Sequence, residues 1–456
     1  MLNKPKHSLR ILQVHTCDFG GGAEGSTWDL FQAYRERGLD SWLAVGRKLT
    51  KDSDVLVIPN ERNHSGWSQF WHRIQRRNNA RAPREPYQSL GRLLRFLEDP
   101  RSVMERKLGL EDFNYPGTWQ LLDLPPRHPT IVHCHNLHGS YFDLRVLPRL
   151  SQQIPVILNL RDTWLLTGHC AHFMDCERWK TGCGRCPDLT IYPAVPKDGT
   201  FLSWRRKRKI YARSRLYITG PSRWLMDRIK ESMLHGVLYR MIPPPINFKI
   251  FQPGDRTLAR HRLGLPSNSQ IILLSAHNMF KDLDTMEASL AQIRKAKGGG
   301  NLLFLCLGKQ GPEKVLGQGV VQYRGFERDK KKVALYYQAA DIYIHAAKGE
   351  VFGKAVTEAM GSNIPVVAIA VGGIPEQIED GVTGFLVPKA DVEGMSRAIQ
   401  RLLDDEGLRI KIGNSAGLHA RKHYSINRQV NAFLEFYEEI LDDWSCWSRK
   451  SNNFRG

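Results

Sequence analysis

Glu350 and Glu358 stand eight positions apart in Glu350-Val-Phe-Gly-Lys-Ala-Val-Thr-Glu358, between an apolar run ending near His345 and another beginning at Pro365. The spacing predicts a loop holding Glu350 and a helix from about Gly353 to Gly361 that carries Glu358. Amides at Phe352, Gly353 and Lys354 would then open a helix N-terminus, which suits phosphate, while the two carboxylates suit sugar or ribose hydroxyls. The plain alternative is a solvated amphipathic helix with two unrelated glutamates. A second turn, Val371-Gly372-Gly373-Ile374-Pro375-Glu376, has glycines for close backbone approach and a proline suited to a first helical position.

Three further groups have chemical potential. Gly20, Gly22 and Gly25 fall in G-x-G-x-x-G spacing after the first apolar run. The second run ends Ala44-Val-Gly-Arg47, without the acid that a dinucleotide ribose requires, so this is a glycine-rich turn facing a ligand or a bare tight turn. Asp162, at the end of a strand, is either an acceptor contact or a helix N-cap. Cys170, Cys176, Cys183 and Cys186, with His169 and His172 nearby, have spacing suited to a structural zinc ion. Reduced thiols packed in a compact loop are the alternative in a reducing compartment.

The elements that must position these groups alternate as short strands and amphipathic helices, which predicts parallel sheets covered by helices. One strand series is 11–17, 41–45, 131–134, 156–160 and 216–219; a second is 271–274, 302–307, 320–323, 342–345 and 365–369. Between them Pro243-Pro244-Pro245 forbids regular structure. The expected domains are therefore 1–240, with a helical basic insertion over about 65–124 and a cysteine loop at 169–187, and then 241–424. In the final segment, 425–456, Ser425 caps a helix with Val430, Phe433, Leu434, Tyr437, Ile440 and Leu441 on one face, and a loose tail follows Trp444.

At 456 residues and 41% hydrophobic, the chain is long enough and apolar enough for two or three domains. It has no apolar run long enough to span a bilayer and no secretory leader, so the expected location is cytoplasmic. The formal charge of +20 is concentrated between Arg62 and Lys107, with eleven Lys/Arg against four Asp/Glu, and in Arg205-Arg206-Lys207-Arg208-Lys209. An anionic membrane surface fits this best, ahead of simple solvation. Nucleic acid fits worst, because no nucleic-acid module accompanies the charge.

Taken in order, these motifs resemble the retaining GT-B glycosyltransferases of family 4. Glu350-x7-Glu358, Gly361-Ser-Asn-Ile-Pro-Val-Val-Ala and Gly372-Gly-Ile-Pro-Glu376 look like that family's signature. Gly21-Gly-Ala-Glu24, Ile131-Val-His-Cys-His-Asn136, Pro221-Ser-Arg-Trp224 and Gly381-Val-Thr-Gly384 look like its other landmarks. Together they extend over residues 8–445. The four-cysteine loop is similar to that of a subset of members.

The resemblance implies two Rossmann-like doubly wound domains facing a cleft. Glu358 would hold the donor ribose and Glu350 the transferred sugar. Phe352, Gly353 and Lys354 would contact the donor, Gly21 and Gly22 would border its diphosphate, and His135 would lie near the anomeric carbon. The last helix would cross back onto the first domain. Catalysis would need no metal cofactor, and retention would follow front-face attack with the leaving phosphate taking the proton.

Lys281 would grip the diphosphate, although an accompanying Arg is missing, and Pro243–Asn247 replaces a common Asn-Gly hinge. The implied reaction moves a sugar from a UDP- or GDP-sugar to a saccharide or lipid-linked saccharide for cell-surface polysaccharide, on the inner face of the plasma membrane. The alternatives are a non-catalytic sugar-nucleotide or nucleic-acid binding module, or another GT-B enzyme such as a nucleotide-sugar epimerase.

Overall fold

The computed structural model describes residues 8–61, 99–276, 279–295 and 300–453. The chain forms two compact units. The first comprises Met1–Gly220, Met226–Arg240 and Phe433–Gly456; the second comprises Pro221–Leu225 and Met241–Ala432. A linear division at 240/241 does not anticipate the grouping of Pro221–Leu225 with the second unit. Of the expected helical basic insertion over about 65–124, residues 65–98 lie outside the described residues. Its described remainder holds a helix, Pro100–Lys107, started by Pro100 and capped by Asp99, whose side chain accepts from Ser102 N.

The first unit is built on a sheet of β1 (Arg10–Cys17), β2 (Asp40–Arg47), β3 (Val55–Val57), β4 (Ile131–Cys134), β5 (Val156–Asn159), β6 (Leu216–Gly220) and β7 (Leu238–Met241). Its order is β3-β2-β1-β4-β5-β6-β7, and the pairs from β3 through β6 are parallel. β4, β5 and β6 are buried along their whole length, as expected for strands covered on both faces.

The second sheet contains β8 (Gln270–Ser275), β9 (Leu302–Leu307), β10 (Lys314–Leu316), β11 (Gly319–Arg324), β12 (Ile342–His345), β13 (Val366–Ile369) and β14 (Phe385–Val387). Its order is β10-β11-β9-β8-β12-β13-β14, parallel except for the β10–β11 hairpin. Among its parallel strands each sheet reverses strand order once, between β1 and β4 and between β8 and β12. In open α/β sheets that reversal parts the connecting loops and leaves a crevice at the carboxyl ends of the strands.

The last helix runs Ile426–Asn453, into the segment after Trp444 that was expected to be a loose tail. Ser425 Oγ accepts from Arg428 N at 3.3 Å, the bond of an N-cap. From Phe433 onward the helix belongs to the first unit, where Phe433, Phe436, Tyr437 and Ile440 are wholly buried. The Tyr437 hydroxyl lies 2.9 Å from the Tyr34 hydroxyl and 2.7 Å from His133 Nδ1. This helix therefore reads a polar group of the sheet as well as closing its apolar face. Farther along, Asp443 accepts from Tyr217 at 2.7 Å and pairs with Arg215 at 2.5 Å.

Tyr437→Phe would keep the ring and strand two buried polar partners. Its expected cost is about 1–3 kcal/mol of stability, read as a lower denaturant midpoint with an unchanged slope.

Candidate functional site

In the second unit, three loops meet the reversal of strand order. The first, after β8, ends at Lys281, which forms an isolated antiparallel bridge with Ala347. The second follows β12 and carries Glu350. The third follows β13 and contains Gly372 and Gly373. Gly373 N donates to Glu350 O at 3.2 Å. A Cβ at Gly372, whose φ is +55°, would lie 1.6 Å from the same oxygen. Only glycine gives both the left-handed conformation and the space.

The Glu350 side chain enters a charged cluster. Its Oε2 is 3.4 Å from Lys281 Nζ and 3.3 Å from His345 Nε2. Lys281 Nζ is itself 3.3 Å from His345 Nε2, and His345 Nδ1 is 3.1 Å from the Tyr343 hydroxyl. Burial alone would raise the Glu350 carboxyl pKa, but Lys281 and His345 outweigh it and hold it well below the ordinary carboxylate range. Lys281, expected on a diphosphate, is thus 6% exposed and committed to a carboxylate. His345 has no counterpart in the sequence reading, although it closes the strand that delivers Glu350.

The helix following this loop runs Lys354–Gly361. Gly353 is its N-cap at φ +80°, and no side chain caps the turn. Lys354 Nζ and Glu358 Oε1 lie 4.0 Å apart on one face. Phe352 is core: its ring meets Tyr424 edge-on at 5.7 Å, and its carbonyl accepts from Gln377 Nε2. Glu376 has a separate task. Its carboxylate accepts from Arg223 N and Trp224 N, each at 2.7 Å, and caps the helix Arg223–Lys230. Ser222 Oγ donates to Val351 O at 2.8 Å, which ties the Pro221–Trp224 landmark to the glutamate loop.

In the first unit, Gly21 caps the helix Gly22–Glu36 without a side-chain bond. His135, expected at the anomeric carbon, is 1% exposed, with Nε2 3.1 Å from Gln13 Oε1 and Nδ1 3.2 Å from Asn159 Nδ2. Both ring nitrogens are therefore occupied inside the sheet layer, and burial holds its pKa well below the ordinary value.

His138, just beyond that strand, is partly exposed and sits 2.7 Å from Asp162 Oδ2. Burial would lower its pKa, but Asp162 reverses the direction and raises it. The other oxygen of Asp162 accepts from Trp164 N at 2.9 Å, so this carboxylate both shapes its turn and orients a histidine. Strand alternation turns residues 133 and 135 to one inward face, a signal that could have moved attention to His138.

Cys170, Cys176, Cys183 and Cys186 line one small cavity, and none forms a disulfide. Gly168 N donates to Cys183 Sγ at 3.2 Å, and His169 Nε2 faces Cys186 Sγ at 3.4 Å. Burial pushes the Cys170 thiol up to about 12 and the Cys183 thiol up to about 11. Among the described residues no three His, Cys, Asp or Glu side chains are arranged to hold a metal ion. The donor types suit zinc, and the four thiols share one cavity.

The loop is also held by Lys207, fully buried, whose Nζ donates to Trp164 O at 2.7 Å and Thr167 O at 3.1 Å and pairs with Glu111 at 2.8 Å. One member of the expected exposed basic run thus points inward.

Comparison with known proteins bears on this geometry. Residues 271–418 match the family described as Glycosyl transferases group 1. That segment contains Lys281, Glu350, Glu358 and both glycines of the third loop. The D-inositol 3-phosphate glycosyltransferase of Saccharomonospora viridis is 27% identical over 220 residues, which is 44% of this chain and 50% of that protein. WcaC of Escherichia coli K12, named as a colanic acid biosynthesis glycosyl transferase, is 27% identical over 256 residues, 53% of this chain and 60% of its own. The chain thus spans about half the length of the curated relatives it matches.

Among solved structures, sucrose-phosphate synthase from Thermosynechococcus elongatus aligns with TM-score 0.63 at 17% identity, over 95% of this chain and 100% of that one. Anabaena HepE in complex with UDP-glucose aligns with TM-score 0.58 at 14% identity, over 94% and 100%. The fold is GT-B.

Lys281→Met would leave the partly exposed Glu350 carboxylate without its main cation and cost about 2 kcal/mol. Because the folded pKa of Glu350 is depressed, the cost is present in full above its ordinary value of 4.5 and closes as acid protonates the carboxyl. Melting curves of both proteins from neutral to acid pH measure that gap.

Proposed function

We propose that the protein is a retaining glycosyltransferase that takes a UDP- or GDP-sugar as donor and a saccharide or lipid-linked saccharide as acceptor. The observation that carries this reading is the Glu350–Lys281–His345 cluster beside the uncapped helix at Gly353, at the strand-order reversal of the segment matching group 1 glycosyl transferases. A nucleotide-sugar needs both halves of this arrangement. Hydroxyls are met by carboxylates, and phosphate by the amides of a helix start.

In the proposed roles, Glu358 binds the ribose and Glu350 the hydroxyls of the transferred sugar. The amides from Phe352 to Lys354 face the diphosphate, whose charge grows as the glycosidic bond breaks. Glu350 is held ionised by Lys281, so it accepts hydroxyl protons and does not donate one. The acceptor side draws on His138 and Asp162 of the first unit in place of His135. UDP is supported by the UDP-glucose complex of Anabaena HepE, and a role in polysaccharide synthesis by the name of WcaC.

Calorimetry with UDP-, GDP- and ADP-sugars tests the donor site. One nucleotide series should bind, and Glu358→Gln should weaken it roughly 10- to 100-fold through loss of a charged hydrogen bond. Binding by none of them, or binding indifferent to the substitution, removes the proposal.

An anionic membrane is the proposed docking surface. Among the described residues no helix is long and apolar enough to cross a membrane. On the helix Thr200–Tyr211, Phe201 and Leu202 are exposed beside Arg205, Arg208 and Lys209. Met104 and Leu108 are exposed on the neighbouring Pro100–Lys107 region, linked through Arg206 and Glu105 at 3.6 Å. Sedimentation with anionic vesicles at low salt should retain the protein, and Phe201→Ser/Leu202→Ser should release it. Equal retention on neutral vesicles would argue against an anionic surface.

A further inference from the structure

Between the short helix Trp164–Leu166 and the helix Thr200–Tyr211 the chain has no strand and a single turn of helix, Arg178–Lys180. A stretch of that length without regular structure needs something other than a backbone ladder to hold it. Cys170, Cys176, Cys183 and Cys186 all lie in it. With His169 they line a cavity of about 20 Å³, space for one water-sized occupant. The turn that delivers the last two thiols, Gly182–Arg185, has positive φ at every residue, including +25° at Cys183 and +47° at Arg185. Neither of those side chains favours that conformation, so the turn is held by what surrounds it.

His169 is prepared as a ligand. Its Nδ1 is 3.0 Å from Pro193 O, which can only accept, so the ring proton is on Nδ1. Nε2 then carries the lone pair, and it faces Cys186 Sγ at 3.4 Å. Zinc–sulfur and zinc–nitrogen bonds of about 2.3 and 2.0–2.1 Å, at a tetrahedral angle, set the two donor atoms about 3.6 Å apart. The observed separation is close to that edge. A carbonyl behind the ring is also a partner that orients imidazole ligands in metal sites. Cys183 Sγ accepts from Gly168 N at 3.2 Å, a bond that strengthens when the sulfur is a thiolate. Arg178 on the cavity wall and buried Lys207, bonded to Thr167 O, supply cations beside the negative charge that three thiolates leave on zinc.

We propose that Cys176, Cys183, Cys186 and His169 Nε2 hold one structural zinc ion. Cys170 is adjacent to His169 and competes for the fourth position; the approach of Nε2 to Cys186 decides it for His169. The described thiols line the cavity without closing on one point. Binding replaces three S–H bonds by Zn–S bonds, so about three protons leave per ion and no electron is transferred, and that closure draws the sulfurs together. The ion also fixes what the loop carries. Ala171 N donates to Tyr192 O at 2.7 Å and Thr163 N donates to Ala171 O at 2.9 Å, so the site braces the turn that aims Asp162 at His138. It stands independently of the transferase reading.

Metal analysis of the full chain, purified without chelators or a histidine tag, tests this. About one zinc per chain is expected. Removing it with a chelator should lower the melting temperature, and added Zn2+ should restore it. With Co2+ in its place, intense visible absorption should report a tetrahedral thiolate site. Cys183→Ser and His169→Gln should each weaken zinc binding by more than roughly 100-fold, whereas His169→Cys and Cys446→Ser should retain it.

Because a ligand variant can unfold, the chelation and restoration are read on the wild type. Zinc lost from Cys170→Ser and kept by His169→Gln overturns the His169 assignment and moves the fourth position to Cys170. Iron in place of zinc overturns the choice of metal. Absence of metal with no melting response to Zn2+ overturns the site, as does a native disulfide among the four cysteines.

Discussion

The backbone of Glu350 leaves no room beside its carbonyl, and much of the second unit's site follows from that. Gly372 must be glycine there, Gly373 donates to the same oxygen, and the loop after β13 is thereby clamped to the loop after β12. The clamp brings Ile374 against Gly353 and Gln377 onto the Phe352 carbonyl, so the start of the Lys354–Gly361 helix is set by a neighbouring loop. With the backbone held, the Glu350 carboxylate is presented to Lys281 and His345 at fixed distance. In the proposed reading, an ionised, partly exposed carboxylate beside a helix start with no side-chain cap would meet hydroxyls and phosphate with little reorganisation left to do.

The first unit solves a different problem. Its sheet carries histidines where parallel sheets usually carry aliphatic residues, and burial keeps His15 and His133 neutral, each with a pKa of about 3. Neutral imidazoles can be buried if their nitrogens are met. Tyr437 meets one nitrogen of His133 from the last helix, and Gln13 and Asn159 meet both nitrogens of His135. Lys207 follows the same logic in the cysteine loop, where a buried ammonium gathers two carbonyls, a carboxylate and the face of Trp164 at 3.6 Å. For His135 and Lys207, hydrogen bonding offsets the desolvation of a polar group and gives an otherwise uniform apolar layer one arrangement.

The strands legible in the sequence were those inside the sheets. All ten expected segments are strands, with ends differing by a residue or two. The four that were not anticipated, β3, β7, β10 and β14, are the edge strands of the two sheets. Edge strands are short and half covered, so they lack the continuous apolar run that marks a strand buried on both faces. The glutamate motif and its glycine loop were legible for a related reason: the close approach and the helix start are local, and each demands a particular residue type.

Composition, periodicity and local motifs by themselves determined the two-sheet α/β architecture, the helix carrying Glu358 and the glycines beside Glu350. These depend on backbone geometry over a few residues. Tertiary structure alone decided which charged groups meet. It buried Lys281 against a carboxylate 69 residues away, closed His135 between Gln13 and Asn159, left His138 to Asp162, and turned Lys207 inward from a run that otherwise suggests surface. The ionisation and exposure of a side chain depend on what the fold packs around it, and those neighbours come from distant positions in the chain.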